Sequence, residues 1–237
     1  MMANVLPEVQ ADKMIQDKIS QWENAREQRK TAQKEAAIRV HPFLTVTRDF
    51  GCGEENLIPA IEKTLDWKVY GRNLLDHIAE RDYLSRGFIE TLDEHHKNLL
   101  DQWITFLIRA GAILPNDYIV RLSKMMRVIV SHESAIFVGR GANYILGEKS
   151  EGLFIKLTAP FDYRVQNIAR LKNLPEKEAQ TRVRSIDVER REFVQQYFKR
   201  DKEEPSDFDI IFNTKTVSAD AICGLLVELL KARSGSR

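Results

Sequence analysis

Residues 43–57 read FLTVTRDFGCGEENL. The opening Phe43-Leu44-Thr45-Val46-Thr47 is a short apolar and β-branched run, Gly51-Cys52-Gly53 is a tight loop, and Leu57, Ile58, Ile61 and Leu65 then recur at helical spacing. The reading is strand, loop, helix. Residues 135–146, AIFVGRGANYIL, repeat the form, and further short apolar runs stand at Trp67-Lys68-Val69-Tyr70, Leu153-Phe154-Ile155-Lys156-Leu157 and Asp209-Ile210-Ile211-Phe212. Helical stretches separate them. Strands alternating with helices predict a three-layer α/β fold, a parallel sheet with helices on both faces.

The remainder of the chain is consistent with one good core and an appendage. Of 237 residues, 43% are apolar and 30% charged, with 36 Lys and Arg against 35 Asp and Glu. A net charge of +1 supplies no overall field toward nucleic acid or an anionic membrane, so any anion must meet a local cluster. Cys52 and Cys223 are too few and too far apart for a disulfide framework or a zinc knuckle. No signal-like start or membrane-length apolar run occurs, and the expected location is the cytoplasm.

Residues 8–39 contain no Gly or Pro and are dense in Lys, Glu, Gln and Ala. Their thin apolar stripe, Ile15, Ile19 and Trp22, predicts a long solvated helix, an exposed arm over residues 1–42. Its alternative use is a dimerisation or partner helix anchored by Trp22. The middle, 88–133, is mostly helical, with core stripes at Leu99, Leu100, Trp103, Ile104, Leu107 and Ile108 and again from Ile119 to Val130. His95-His96 point about 100° apart on a helix and lack a third ligand at useful spacing, so they read as a solvated pair.

In a parallel sheet, ligands sit at the carboxyl ends of strands, where loop amides meet helix N-termini. The loops at 47–57 and 138–144 have that form, the second placing Arg140 between Gly139 and Gly141. Neither completes a dinucleotide fingerprint, and the first lacks the Gly-Lys-Ser/Thr of a standard phosphate loop. In order and spacing, however, the landmarks resemble the cytidylate kinase-like family of phosphate-loop nucleotide kinases. Thr47-Arg48-Asp49-Phe50-Gly51-Cys52-Gly53 is similar to that family's Ser-Arg-Glu-Phe-Gly-Ser-Gly. Tyr70-Gly71-Arg72-Asn73-Leu74-Leu75 is similar to Tyr-Asp-Arg-Glu-Leu-Leu, and Val138-Gly139-Arg140-Gly141-Ala142-Asn143-Tyr144 to Val-Gly-Arg-Gly-Ala-Asp-Tyr. Ala159-Pro160-Phe161-Asp162-Tyr163-Arg164-Val165, Asp187-Val188-Glu189-Arg190 and residues 205–214 continue the likeness, which runs through a domain at 43–237 with a helical lid near 173–205.

The resemblance implies transfer of the γ-phosphoryl of ATP, with magnesium, to a nucleoside monophosphate such as CMP. It makes Arg140, Asp187 and Arg190 the catalytic residues, Arg140 holding the acceptor and Asp187 and Arg190 making acceptor and lid contacts, and it places Arg48, Gly51, Cys52, Gly53 and Arg72 in cofactor binding. Arg48 and Arg72 would equally serve to pair with carboxylates at strand ends, and Asp187 with Arg190 would equally form an i,i+3 surface pair. No metal ligand set is expected from protein side chains. Two departures point to a weakened enzyme. Glu54-Glu55 replace the Gly and basic residue usual after the loop, and Gly71 replaces the aspartate of Tyr-Asp-Arg. Carboxylates at a helix start favour its dipole, by about 0.3–1 kcal/mol each, yet repel a triphosphate. An active kinase accounts for the arginines; a nucleotide sensor accounts for the glutamates as well; a partner-binding module accounts only for the amino-terminal helix. A dinucleotide-dependent oxidoreductase finds no acidic residue at the end of a second strand.

Overall fold

The computed structural model describes residues 8–29, 40–147 and 152–235. In chain order the elements are α1 (Glu8–Arg29), β1 (Phe43–Arg48), α2 (Glu54–Leu65), β2 (Lys68–Gly71), α3 (Arg72–Glu80), α4 (Asp82–Glu90), α5 (Glu94–Arg109), α6 (Asp117–His132), β3 (Ala135–Val138), α7 (Ala142–Ile145), β4 (Gly152–Thr158), α8 (Phe161–Lys172), α9 (Glu176–Phe198), β5 (Ile210–Asn213) and α10 (Ala219–Gly235). The strands form one parallel sheet in the order β2-β3-β1-β4-β5. Each coincides, within a residue or two, with an apolar run read from the sequence.

Period-two alternation splits the sheet between two cores. Phe43, Tyr70, Ala135, Phe137 and Phe154 face a large cluster built with α3, α4, α5 and α6. Leu44, Val46, Ile136, Val138, Leu153, Ile155 and Leu157 face the other layer, where α2 supplies Leu57 and Ile61 and α10 supplies Ile222 and Leu226. A smaller cluster joins α8 to α9 through Val165, Ile168, Ala179 and Val183.

The expected exposed arm is corrected. Ala11, Ile15, Ile19 and Trp22 are buried in the same core as α3–α6, so the stripe is used within the chain instead of being left for a partner. Trp22 stacks on His132 with ring centroids 4.4 Å apart and meets Phe88 edge-on at 5.4 Å. Gly87 of α4 admits Ile19: a Cβ there would lie 2.7 Å from its Cδ1. The polar residues that suggested a solvated helix make specific contacts instead. Asp12 meets His77 at 2.6 Å, Lys18 pairs with Glu133, and Arg26 donates to the carbonyl of Glu90 at 2.7 Å. The part of the expected helix at 30–39 lies outside the described residues.

Candidate functional site

The carboxyl ends of β1, β3 and β4 open into a cavity of about 700 Å³, across which α9 lies as a roof. Thr47, Arg48, Arg72, Arg140, Lys156 and Arg190 all reach it, drawn from strand ends, the first turn of α3 and the roof helix. Cations far apart in the sequence meet here, interleaved with the carboxylates of Asp49, Asp187, Glu189 and Glu203.

The loop between β1 and α2 is held by side chains of α8 and α9. Gly51 and Gly53 take positive φ, 82° and 94°, as the turn requires. The amide of Phe50 donates to Asp187 Oδ1 at 3.3 Å, and Asp187 Oδ2 accepts from Arg164 Nη1 at 2.7 Å. Arg164, itself buried, also donates to the carbonyls of Phe50 (3.1 Å) and Ala159 (3.2 Å). Arg190 Nη1 donates to the carbonyl of Arg48 at 2.6 Å, while Nη2 lies 3.6 Å from Glu54 Oε1. Asp187 and Arg190 therefore do not pair with each other; one turn apart, both point down from α9 onto the loop.

Glu54 is consequently not the uncompensated charge that the sequence suggested, since Arg190 faces one oxygen and the Cys52 thiol donates to the other at 3.6 Å. Burial first, and then the Glu54 carboxylate, push the Cys52 thiol well above the usual range. Glu55 is exposed.

Arg48 closes β1 with its guanidinium where a Cβ on Gly139 would sit. Burial, followed by the charge of Arg190, lowers its pKa to about 10, and its Nε is a buried donor with no partner among the described residues. Beside it, Asp49 accepts from Thr158 Oγ1 at 2.6 Å and lies 3.6 Å from Lys156, whose ammonium also meets Glu203 at 2.6 Å.

Arg140 sits in a run of left-handed backbone, Gly139 (79°), Arg140 (54°) and Gly141 (67°). For the arginine this conformation costs about 1–2 kcal/mol. It turns the side chain back toward α3, where Nε donates to Asp76 Oδ1 at 2.7 Å and Nη2 to Oδ2, while the Phe193 ring centroid lies 4.5 Å from the guanidinium carbon. The Tyr118 hydroxyl donates to Asp76 Oδ1 at 2.6 Å, and burial with this bond keeps the phenol far above its ordinary pKa. Arg72 Nε approaches Asp76 Oδ2 at 3.8 Å, and its Nη2 pairs with Glu189 at 2.7 Å.

Asp76, Arg164 and Tyr118 were not singled out from sequence. Asp76 was legible only as the i,i+4 partner of Arg72; nothing in the order of residues ties it to Arg140, 64 positions away. The carboxylate missing at Gly71 thus has a counterpart one turn into α3.

The guanidinium groups and the orphan Nε of Arg48 fit phosphate oxygens. The loop fits a triphosphate less well, because Asp187 already accepts the Phe50 amide and Cys52 N donates to the carbonyl of Asp49 at 3.4 Å. Among the described residues no three His, Cys, Asp or Glu side chains gather for a metal ion, and no helix is long and apolar enough to cross a membrane.

The family model described as "Cytidylate kinase-like family" matches residues 43–216. No curated protein matches the chain. Among solved structures, an uncharacterized protein from Eubacterium ventriosum ATCC 27560 is 17% identical with a TM-score of 0.62, over 81% of this chain and 99% of that one. Shikimate kinase from Bacteroides thetaiotaomicron is 15% identical with a TM-score of 0.43, over 80% of this chain and 98% of that one. Dephospho-CoA kinase from Campylobacter jejuni is 16% identical with a TM-score of 0.35, over 82% and 98%.

Proposed function

The chain belongs to the cytidylate kinase-like family, and we propose that its arginine-lined cavity binds a nucleoside monophosphate such as CMP and serves phosphoryl transfer to it. The observation that carries this reading is the convergence of Arg48, Arg72 and Arg140, at or just beyond the ends of parallel strands, with Arg190 of the roof helix. Phosphoryl transfer demands placement and neutralisation of charge more than covalent chemistry from the protein. ATP with magnesium would supply the γ-phosphoryl and part of the neutralisation. Arg140 and Arg72 would hold the acceptor phosphate, Arg48 and Arg190 the oxygens nearest the loop, and α9 would exclude water. Gly51, Cys52 and Gly53 would shape the loop.

A second reading, a nucleotide sensor with slow or absent transfer, is favoured by the carboxylates of Asp187 and Glu54 on the loop. The test is ADP release on mixing the pure protein with ATP, magnesium and a panel of nucleoside monophosphates, beside calorimetry of each ligand. Acceptor-dependent ADP release supports the kinase. Monophosphate binding without ADP supports the sensor, and no binding at all overturns both.

A further inference from the structure

Arg140 and Tyr118 line the cavity, whereas Asp76 stands behind them and does not. Asp76 nevertheless joins both to Arg72. It takes Nε and Nη2 of Arg140, the Tyr118 hydroxyl and, at 3.8 Å, Arg72 Nε. Among the described residues no acceptor is paired with the remaining Nη1 of Arg140. The guanidinium is thereby clamped along one edge by a carboxylate and on one face by Phe193, with its backbone held in the left-handed region.

We propose that Asp76 is the positioning residue of the acceptor side, orienting Arg140 and Arg72 so that their free N–H groups converge on a monophosphate. The inference rests on the reading of the cavity as a nucleotide site and deepens it. A bidentate carboxylate fixes a planar guanidinium in orientation as well as place, which a flexible side chain could not otherwise keep without losing rotamer freedom on binding. Arg72 also pairs with Glu189 at 2.7 Å, so the two cations face two carboxylates, and what the clamp supplies is direction for the remaining N–H donors and not surplus charge. Tyr118, on α6, orients Asp76 in turn.

The test compares Asp76→Asn, Asp76→Glu and Tyr118→Phe with the parent, by calorimetry of CMP and separately of ATP with magnesium, beside thermal unfolding. Asp76→Asn is expected to weaken CMP by roughly tenfold or more, leave ATP within about twofold, and leave a cooperative unfolding transition. Asp76→Glu should recover part of the loss, and Tyr118→Phe should weaken CMP by about threefold. Field and orientation make opposite forecasts, because Asp76→Asn adds one positive charge. If CMP binds as tightly or more tightly, or if CMP and ATP weaken together, Asp76 is an ordinary ion-pair partner and the inference falls. Should Asp76→Asn fail to fold, the Tyr118→Phe series decides by the same criteria. A parent that binds no nucleoside monophosphate overturns the functional reading itself, an outcome separate from any difference among variants.

Discussion

Arg190, in the roof helix α9, donates to the main-chain carbonyl of Arg48, the last residue of β1, at 2.6 Å, so the roof is fastened to the sheet at the mouth of the cavity. The same guanidinium faces Glu54 at 3.6 Å. One side chain thus both closes the cavity and neutralises the carboxylate that opposes anion binding in the loop. A phosphate bound at Arg190 would compete with Glu54 for it.

That competition predicts the effect of Glu54→Gln. With the charge removed and its shape kept, Arg190 is released toward phosphate, and ATP affinity should rise by roughly tenfold while stability falls slightly through loss of a partly buried pair and of a favourable helix-start charge. Calorimetry and thermal unfolding read the two movements. An unchanged affinity would place the obstacle at Asp187 on the Phe50 amide.

Trp22→Ala should lower the unfolding free energy by about 3–5 kcal/mol, because a buried indole between His132 and Phe88 leaves a cavity when truncated. Urea denaturation measures it. Deleting residues 1–29 should likewise give a chain that aggregates or unfolds without cooperativity, since α3, α4 and α6 would expose the surface that α1 covers. A truncated chain as stable as the parent would show that the packing of α1 contributes nothing.

Gly139→Ala should cost about 1–3 kcal/mol and weaken anion binding together. The residue takes φ 79°, and the new Cβ would fall on the guanidinium of the half-buried Arg48, which would have to swing away from its place at the strand end to make room. Thermal unfolding and CMP titration check the two parts. Loss of stability without any change in binding would remove Arg48 from the site.

The Cys52 thiol should resist alkylation. It is fully buried, donates to Glu54, and is held in the protonated form by burial first and by that carboxylate second. Thiolate, not thiol, attacks iodoacetamide, so labelling of Cys52 at pH 8 should be slow in the folded chain and rapid in guanidinium chloride. Mass spectrometry of timed samples gives both rates. Equal rates would mean that the loop opens freely.

The elements that local pattern specifies were legible from the chain alone. Each β-strand is a run of apolar or β-branched residues bounded by turn-forming ones, and alternation within β1 already divides Phe43 from Leu44 between opposite faces. The glycines around Arg140 and the two-glycine loop after β1 were legible too, because positive φ at a strand end restricts residue type. Family membership followed from such landmarks in order.

What only the tertiary structure decided is who meets whom across long separations. Asp76 lies 64 positions from Arg140, and Arg190 142 from the Arg48 carbonyl. Charged side chains of either sign satisfy a helix surface equally well in sequence, so a carboxylate that will be clamped cannot be told from one that will be solvated. The same holds for α1, whose Asp12, Lys18 and Arg26 read as a solvated face until His77, Glu133 and Glu90 are brought opposite them. Periodicity reports local burial preference; pairing of charges is set by packing of whole elements, and that is a property of the folded chain.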